Sequence, residues 1–140
     1  MKIINQHAPK TGSVGILGLS YKPCTPVIEE SQGIALAVLL NQAKRNVVVF
    51  DPLAMPAAKS VLVDTVIYAD SLESCLEKCS ILVLMTAWPE FKTIPANLLK
   101  GKTVIDCWRV LKAEDYPETQ ILHLGKGVLA QQPERIALEA

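Results

Sequence analysis

The chain has no excess of either charge: Lys and Arg number 14, Asp and Glu number 14, over 140 residues. That balance excludes the one-signed footprint of a nucleic-acid or membrane-surface binder, so neither partner is expected. Long hydrophobic runs are also missing. The longest, Ile34 to Leu40, falls far short of the ~20 apolar residues that cross a bilayer. Met1 to Lys10 lacks the charged-then-apolar order of a signal peptide, and a cytoplasmic location is expected. There are two histidines, His7 and His123, and neither stands at zinc spacing from Cys24, Cys75, Cys79 or Cys107. The cysteines form no CxxC pair, which leaves four free thiols and no metal site as the expectation. No internal repeat or low-complexity segment is present.

What is there describes one globular domain: half the residues are hydrophobic and a fifth are charged. Short, continuously apolar runs predict strands at Ser13 to Leu17, Asn46 to Phe50, Val66 to Tyr68, Ile81 to Met85, Thr103 to Ile105 and Gln120 to Leu124. Helices are expected from Glu29 or Ser31 to Lys44, from Pro56 to Val63, and from the capping run Asp70-Ser71-Leu72-Glu73 to about Lys78. Glu29 and Glu30 at the start of the first helix, with Lys44 and Arg45 at its end, suit the helix dipole. A turn of helix is expected around Pro95 to Leu99. Met1 to Lys10 reads as a leader outside the core. Alternating strands and helices imply an α/β fold, a Rossmann-like doubly wound sheet, mainly parallel, in a single three-layer domain. The first helix is apolar all the way round, so either its neighbours bury it or it packs on another domain or subunit.

Three polar and aromatic segments follow strands: Gly18-Leu19-Ser20-Tyr21-Lys22-Pro23, Thr86-Ala87-Trp88-Pro89-Glu90-Phe91, and Asp106-Cys107-Trp108-Arg109. A parallel sheet brings all three to its carboxyl edge, where open α/β folds build their ligand crevice. The glycine fingerprint of a dinucleotide site fails, because Gly15-Ile16-Leu17-Gly18 has the wrong spacing and a proline-containing loop replaces the tight turn. Asp51 stands where a ribose-binding acid would be, although an Asp before Pro also simply ends a strand. No cofactor is expected on this domain.

Lys22 can direct a point charge at a phosphate or carboxylate; on composition alone the solvated loop lysine is the favoured reading. Trp88 and Phe91 either stack on a planar base or lid the core. Asp106 and Arg109 offer a phosphate fork or a structural pair. Cys24 has no neighbouring histidine to act as base and reads as a small loop residue, so no catalytic residue is assigned.

Taken in order, these segments resemble the C-terminal, UDP-binding domain of the UDP-glucose/GDP-mannose dehydrogenase family. The likeness runs from about Ser13 to Leu111. It includes Val14-Gly15-Ile16-Leu17-Gly18-Leu19-Ser20-Tyr21-Lys22-Pro23, the run from Thr25 to Glu30-Ser31, and Val48-Val49-Phe50-Asp51-Pro52. Ala69-Asp70-Ser71-Leu72, Thr86 to Phe91, and Val104-Ile105-Asp106-Cys107-Trp108-Arg109 complete it. Ile4-Asn5-Gln6 is similar to the end of the helix that precedes this domain in the family.

The resemblance implies an NAD-dependent oxidation of a nucleotide sugar at its C6 alcohol, with NAD and the catalytic cysteine on N-terminal and central domains that this chain does not resemble. It implies a UDP-sugar or other nucleotide sugar as ligand, with Lys22, Thr25, Glu30 and Trp88 among its binding residues. Asp106, Trp108 and Arg109 complete that set. Two family cations are altered. Val27-Ile28-Glu29 replaces an acidic-x-Arg run, and Asp106-Cys107-Trp108 replaces Asp-Gly-Arg, with Arg109 one position later. The expected organisation is residues 1–12 as the end of the inter-domain helix, 13–127 as the domain and 128–140 as a tail. The alternatives are a stand-alone nucleotide-binding or regulatory module and an oligomerisation domain; a homodimer is left open.

Overall fold

The computed structural model describes Ile4, Gln6 and residues 12–123. At its centre β1 (Ser13–Leu17) pairs in parallel with β2 (Asn46–Phe50) on one side and β4 (Ile81–Leu84) on the other. The sheet continues to β3 (Ile67–Tyr68) at one edge, and through β5 (Thr103–Asp106) to β6 (Gln120–His123) at the other. The strand order β3-β2-β1-β4-β5-β6, all parallel, is the Rossmann-like α/β arrangement that the alternating apolar runs predict. The order reverses between β1 and β4, and loops leaving those two strands diverge to opposite faces.

Helix α1 (Gln32–Gln42) and α2 (Met55–Leu62) join β1 to β2 and β2 to β3, while α3 (Leu72–Lys78) leads into β4. Short 3-10 turns at Pro89–Thr93, Ala96–Leu98 and Ala113–Asp115 replace helices in the later connections. Pro95 keeps the turn begun at Pro89 from growing into a longer helix, because the residue before it, Ile94, is held extended at ψ 126°. Alternate residues of each strand face opposite ways and fill two cores. Ile16, Val49, Val83 and Ile105 meet Leu36, Ala37 and Leu40 of α1 and Ala58 and Leu62 of α2. Val48, Leu82, Leu84 and Val104 meet Leu76 of α3 and the loop residues Trp88, Phe91 and Leu99.

Two details differ from the sequence expectation. Ile4, helical and only 1% exposed, joins the α1–α2 core, so the leader contributes to packing. A short polar-rich segment carries too little apolar periodicity to announce that a single residue is buried. Helix α1 begins at Gln32, with the Ser31 hydroxyl accepting the Ile34 N–H at 3.1 Å. Glu29 and Glu30 therefore precede the helix, Lys44 and Arg45 follow it, and no charged residue occupies its first or last turn. Glu30 has φ +59°, a left-handed conformation outside any helix. The sheet buries Gly33, Leu36, Ala37 and Leu40, while Ala35, Val38 and Leu39 stay exposed. Leu124, placed in the last strand by the sequence, and the tail at 128–140 lie outside the described residues.

Candidate functional site

The carboxyl edge is organised by two buried aspartates. Asp51 follows β2, is 1% exposed, and collects donors from three strand ends. Its Oδ2 accepts the Leu19 N–H at 2.8 Å, the Ser20 N–H at 2.9 Å, the Ser20 hydroxyl at 2.9 Å and the Trp88 indole N–H at 3.1 Å. Its Oδ1 accepts the N–H groups of Leu53 and Ala54, both at 2.8 Å. A carboxylate can be buried only when its lone pairs are satisfied, and here donors to both oxygens supply that compensation. The Trp88 indole N–H also reaches Ser20 Oγ at 3.1 Å, so the β1, β2 and β4 loops share one hydrogen-bond network.

Close packing locks the same region. Gly18 leaves β1 with φ +107°, and a Cβ there would lie 2.6 Å from the backbone nitrogen of Thr86. Thr86 Oγ1 in turn donates to the Ser20 carbonyl at 3.1 Å. Gly33, in the first turn of α1, sits directly against the Gly18 carbonyl, where any side chain would collide. The backbone at the β1–β4 reversal is thus tied together by Gly18, Ser20, Thr86 and Gly33. This does not fit a nicotinamide dinucleotide: the glycine spacing is wrong, and the acid after β2 has both oxygens engaged by Leu19, Ser20, Trp88, Leu53 and Ala54.

Asp106, fully buried at the end of β5, does for the next turn what Asp51 does for the first two. Its Oδ1 accepts the Trp108 N–H at 3.2 Å and the Val110 N–H at 3.0 Å, and its Oδ2 accepts the Leu111 N–H at 2.8 Å. His123 Nε2 lies 3.2 Å from Asp106 Oδ2 and 3.0 Å from the Leu111 carbonyl. Both neighbours are acceptors, so this nitrogen carries the proton. The turn so formed holds Arg109 at φ +53° and leaves Trp108 and Arg109 exposed at the rim.

The residues singled out in the sequence therefore divide into two groups. Lys22, Glu30, Trp108 and Arg109 are exposed on turns leaving the carboxyl edge. Thr25 is half-buried, and its hydroxyl accepts the Val27 N–H at 3.3 Å inside the loop, which the Tyr21 N–H closes onto the Val27 carbonyl at 2.6 Å. Trp88 and Asp106 are interior. Trp88 is 4% exposed in the α3-side core, so its ring lids the core and is not available to stack on a base. Asp106 offers its oxygens to the turn beneath the rim and does not face a ligand. Asp51, Ser20 and Thr86 are organisers that sequence reasoning did not assign to the site; only the strand-end position of Asp51 hinted at it.

The cysteines are all free thiols. Burial, with the Asp106 charge beside it, pushes the Cys107 thiol up to about 12, so it is protonated near neutral pH. Cys75 and Cys79 share a hydrogen bond that holds Cys75 protonated, its pKa raised further by burial. The same bond, with Lys102 and Lys78 nearby, lowers Cys79 against the opposing effect of burial. Neither thiol lies at the carboxyl edge. Cys24 is exposed in the loop after β1, in a left-handed conformation. A cavity of about 470 Å³ lined by Asn41, Lys44, Arg45 and Asp64 lies at the opposite, amino edge of the sheet. No cluster of metal-ligating side chains occurs among the described residues, and no helix among them is long and apolar enough to cross a membrane.

Comparison with known proteins supplies the rest. Residues 15–113 match the model of the UDP-glucose/GDP-mannose dehydrogenase family, UDP binding domain. The UDP-glucose 6-dehydrogenase TuaD of Bacillus subtilis is 29% identical over 96 residues, 69% of this chain and 20% of that protein. A UDP-glucose 6-dehydrogenase of Rickettsia conorii is 32% identical over 110 residues, 75% of this chain and 26% of that protein. Among solved structures, a UDP-glucose dehydrogenase from Pyrobaculum islandicum superposes with a TM-score of 0.72 at 30% identity, covering 87% of this chain and 27% of that one. The chain thus spans a fifth to a quarter of the length of these relatives.

Proposed function

Because the chain belongs to the UDP-glucose/GDP-mannose dehydrogenase family, we propose that it is the sugar-nucleotide-binding C-terminal domain of an NAD-dependent nucleotide-sugar 6-dehydrogenase such as UDP-glucose 6-dehydrogenase. On this reading the domain turns over nothing by itself. Its ligand is a UDP-sugar or another nucleotide sugar, and its partners are the N-terminal and central dehydrogenase domains. NAD and the catalytic cysteine would sit on those other parts, since the β1–β4 reversal of this chain does not fit a dinucleotide and the Cys107 thiol is held protonated.

The observation that carries the proposal is the rim itself. Lys22 and Arg109 stand exposed on two turns that Asp51 and Asp106 fix from beneath. Two cations on a preorganised edge suit a pyrophosphate: the ammonium acts as a point charge and the guanidinium as a planar fork. Thr25 and Glu30, on the loop that carries Lys22, would offer a hydroxyl and a carboxylate to the ribose or sugar hydroxyls. Trp88 and Asp106 serve as positioning residues, holding the turns rather than touching the ligand. Residues 13–127 would form the domain, with 1–12 entering from the preceding helix and contributing Ile4 to its core, and 128–140 would follow it.

A titration against UDP-glucose, UDP-glucuronate, UDP and GDP by calorimetry tests this. Binding that prefers uridine ligands and responds to the sugar supports the proposal. Binding of any free nucleotide without regard to the sugar favours a regulatory module instead, and no binding of any of them removes the function. The exposed apolar strip Ala35, Val38 and Leu39 on α1 favours a second reading, in which the domain also associates, with a second copy or the missing domains. A clean monomer at high concentration in sedimentation would count against the homodimer.

A further inference from the structure

We propose that Trp108 is a fixed stacking platform for the base of the bound nucleotide, an inference that rests on the nucleotide-binding reading above. The chain has two tryptophans, and the fold treats them oppositely. Trp88 is buried, whereas Trp108 is 59% exposed, the largest exposure among the large hydrophobic side chains of the described residues. Exposure of a large aromatic ring usually goes with freedom of movement. Here it does not.

The backbone of Trp108 is pinned by its N–H donating to Asp106 Oδ1 at 3.2 Å, and its ring is pinned by the indole N–H donating to the Met85 carbonyl at 2.8 Å. Met85 directly follows β4, one of the two strands bordering the reversal of strand order. The indole is therefore tied back from the β5 turn to the strand beside the crevice, with its polar atom already satisfied and more than half of the residue's surface left to solvent or ligand. The hydrogen-bond requirement that would draw an indole into the interior is met at the rim, so the ring can remain outside without an unpaired donor.

A rigid aromatic face loses little conformational freedom when a planar ring settles on it, which is what makes preorganised aromatics effective anchors. Arg109 follows Trp108 directly, and Lys22 stands on another turn of the same edge. Cations suit the phosphates and an apolar π-face suits the base, so the two kinds of side chain divide one ligand between them. Stacking accepts any base face, so Trp108 would supply affinity for the base without by itself choosing between uracil and guanine.

The test measures binding of UDP, UMP and inorganic pyrophosphate to the whole chain, by calorimetry and by intrinsic fluorescence, for the wild type, Trp108→Phe and Trp108→Ala. UDP and UMP should quench the indole emission of the wild type, and the quenching should vanish in both variants although Trp88 remains. Trp108→Ala should weaken UDP about tenfold, Trp108→Phe by less, and neither should change the affinity for pyrophosphate. UDP bound equally well by Trp108→Ala overturns the stacking role while leaving nucleotide binding intact. A loss of pyrophosphate affinity in step with UDP would also overturn it, because the residue would then act only by holding the turn. A wild type that binds none of the three probes defeats the nucleotide-binding reading itself, and the stacking role with it.

Discussion

Exchanging Asp51 for asparagine keeps the outline of the side chain, so its cost isolates the acceptor chemistry at the carboxyl edge. The carboxylate presents two acceptor oxygens, and the amide presents one oxygen and one NH2 group. With the amide oxygen toward Leu53 and Ala54, the NH2 faces the N–H groups of Leu19 and Ser20. The Ser20 hydroxyl can rotate to accept, and the Trp88 indole N–H keeps Ser20 Oγ. The two backbone N–H groups have no such escape. Flipping the amide only moves the problem, because Leu53 and Ala54 then lose their acceptor. Either orientation strands two backbone donors, at roughly 1–3 kcal/mol each, and removes the charge assistance from the bonds that survive. The expected loss is about 3–6 kcal/mol, a large share of the ~5–15 kcal/mol that holds an ordinary domain folded. Urea unfolding followed by far-ultraviolet circular dichroism reads this directly, and the midpoint should fall by at least ~1 M. If Asp51→Asn is less stable than the wild type by under ~1 kcal/mol, Asp51 is not the organiser of the edge.

Three further outcomes follow from the same geometry. Gly18→Ala should cost at least ~2 kcal/mol in the same urea assay, because φ +107° disfavours any side chain and the added Cβ meets the Thr86 backbone rather than a flexible side-chain tip. Lys22→Ala should leave stability unchanged and weaken UDP binding by roughly 10- to 100-fold in calorimetry, as expected for one charge-assisted contact to phosphate; unchanged affinity would remove Lys22 from the site. The Cys107 thiol is raised from an ordinary 9.0 to about 12, so its neutral form is the one the fold favours. Its contribution is complete below pH 9 and is lost as pH rises toward 12, since the unfolded chain releases that proton first. Chemical denaturation across this range should show the decline, and Cys107→Ala should flatten it.

The alternation of apolar strands with helices made the parallel sheet legible, and the parallel sheet in turn placed three loops at one edge. Each step depends on local periodicity, which a sequence displays openly. Asp51 shows the limit. Its local setting, an Asp before Pro52 at a strand end, reads as a terminator, while Leu19, Ser20 and Trp88 lie 31 to 37 residues away. Nothing in a window of ten residues announces a bond across that separation. Trp88 carried the same ambiguity, because an aromatic just past an apolar strand is compatible with both a ligand platform and a core lid. The deciding quantity was the direction of its indole N–H, which turns inward to Asp51. Glu29 and Glu30 were misplaced for a different reason: charge near a helix start favours the dipole, but the Ser31 side chain is the better cap and sets the first turn later.

The two buried aspartates also bear on how such a surface can change over many generations. Lys22, Trp108 and Arg109 are exposed at the rim and lie outside the hydrogen-bond network around Asp51, so a change at one of them leaves that network intact. Asp51, Ser20 and Trp88 hold one another, and a change at any one of them is tolerated only with compensation at the others. A sheet edge built this way separates an exposed rim from the hub that supports it. Under the proposed function, new specificities would be reached by single steps at the rim while the hub beneath stays fixed.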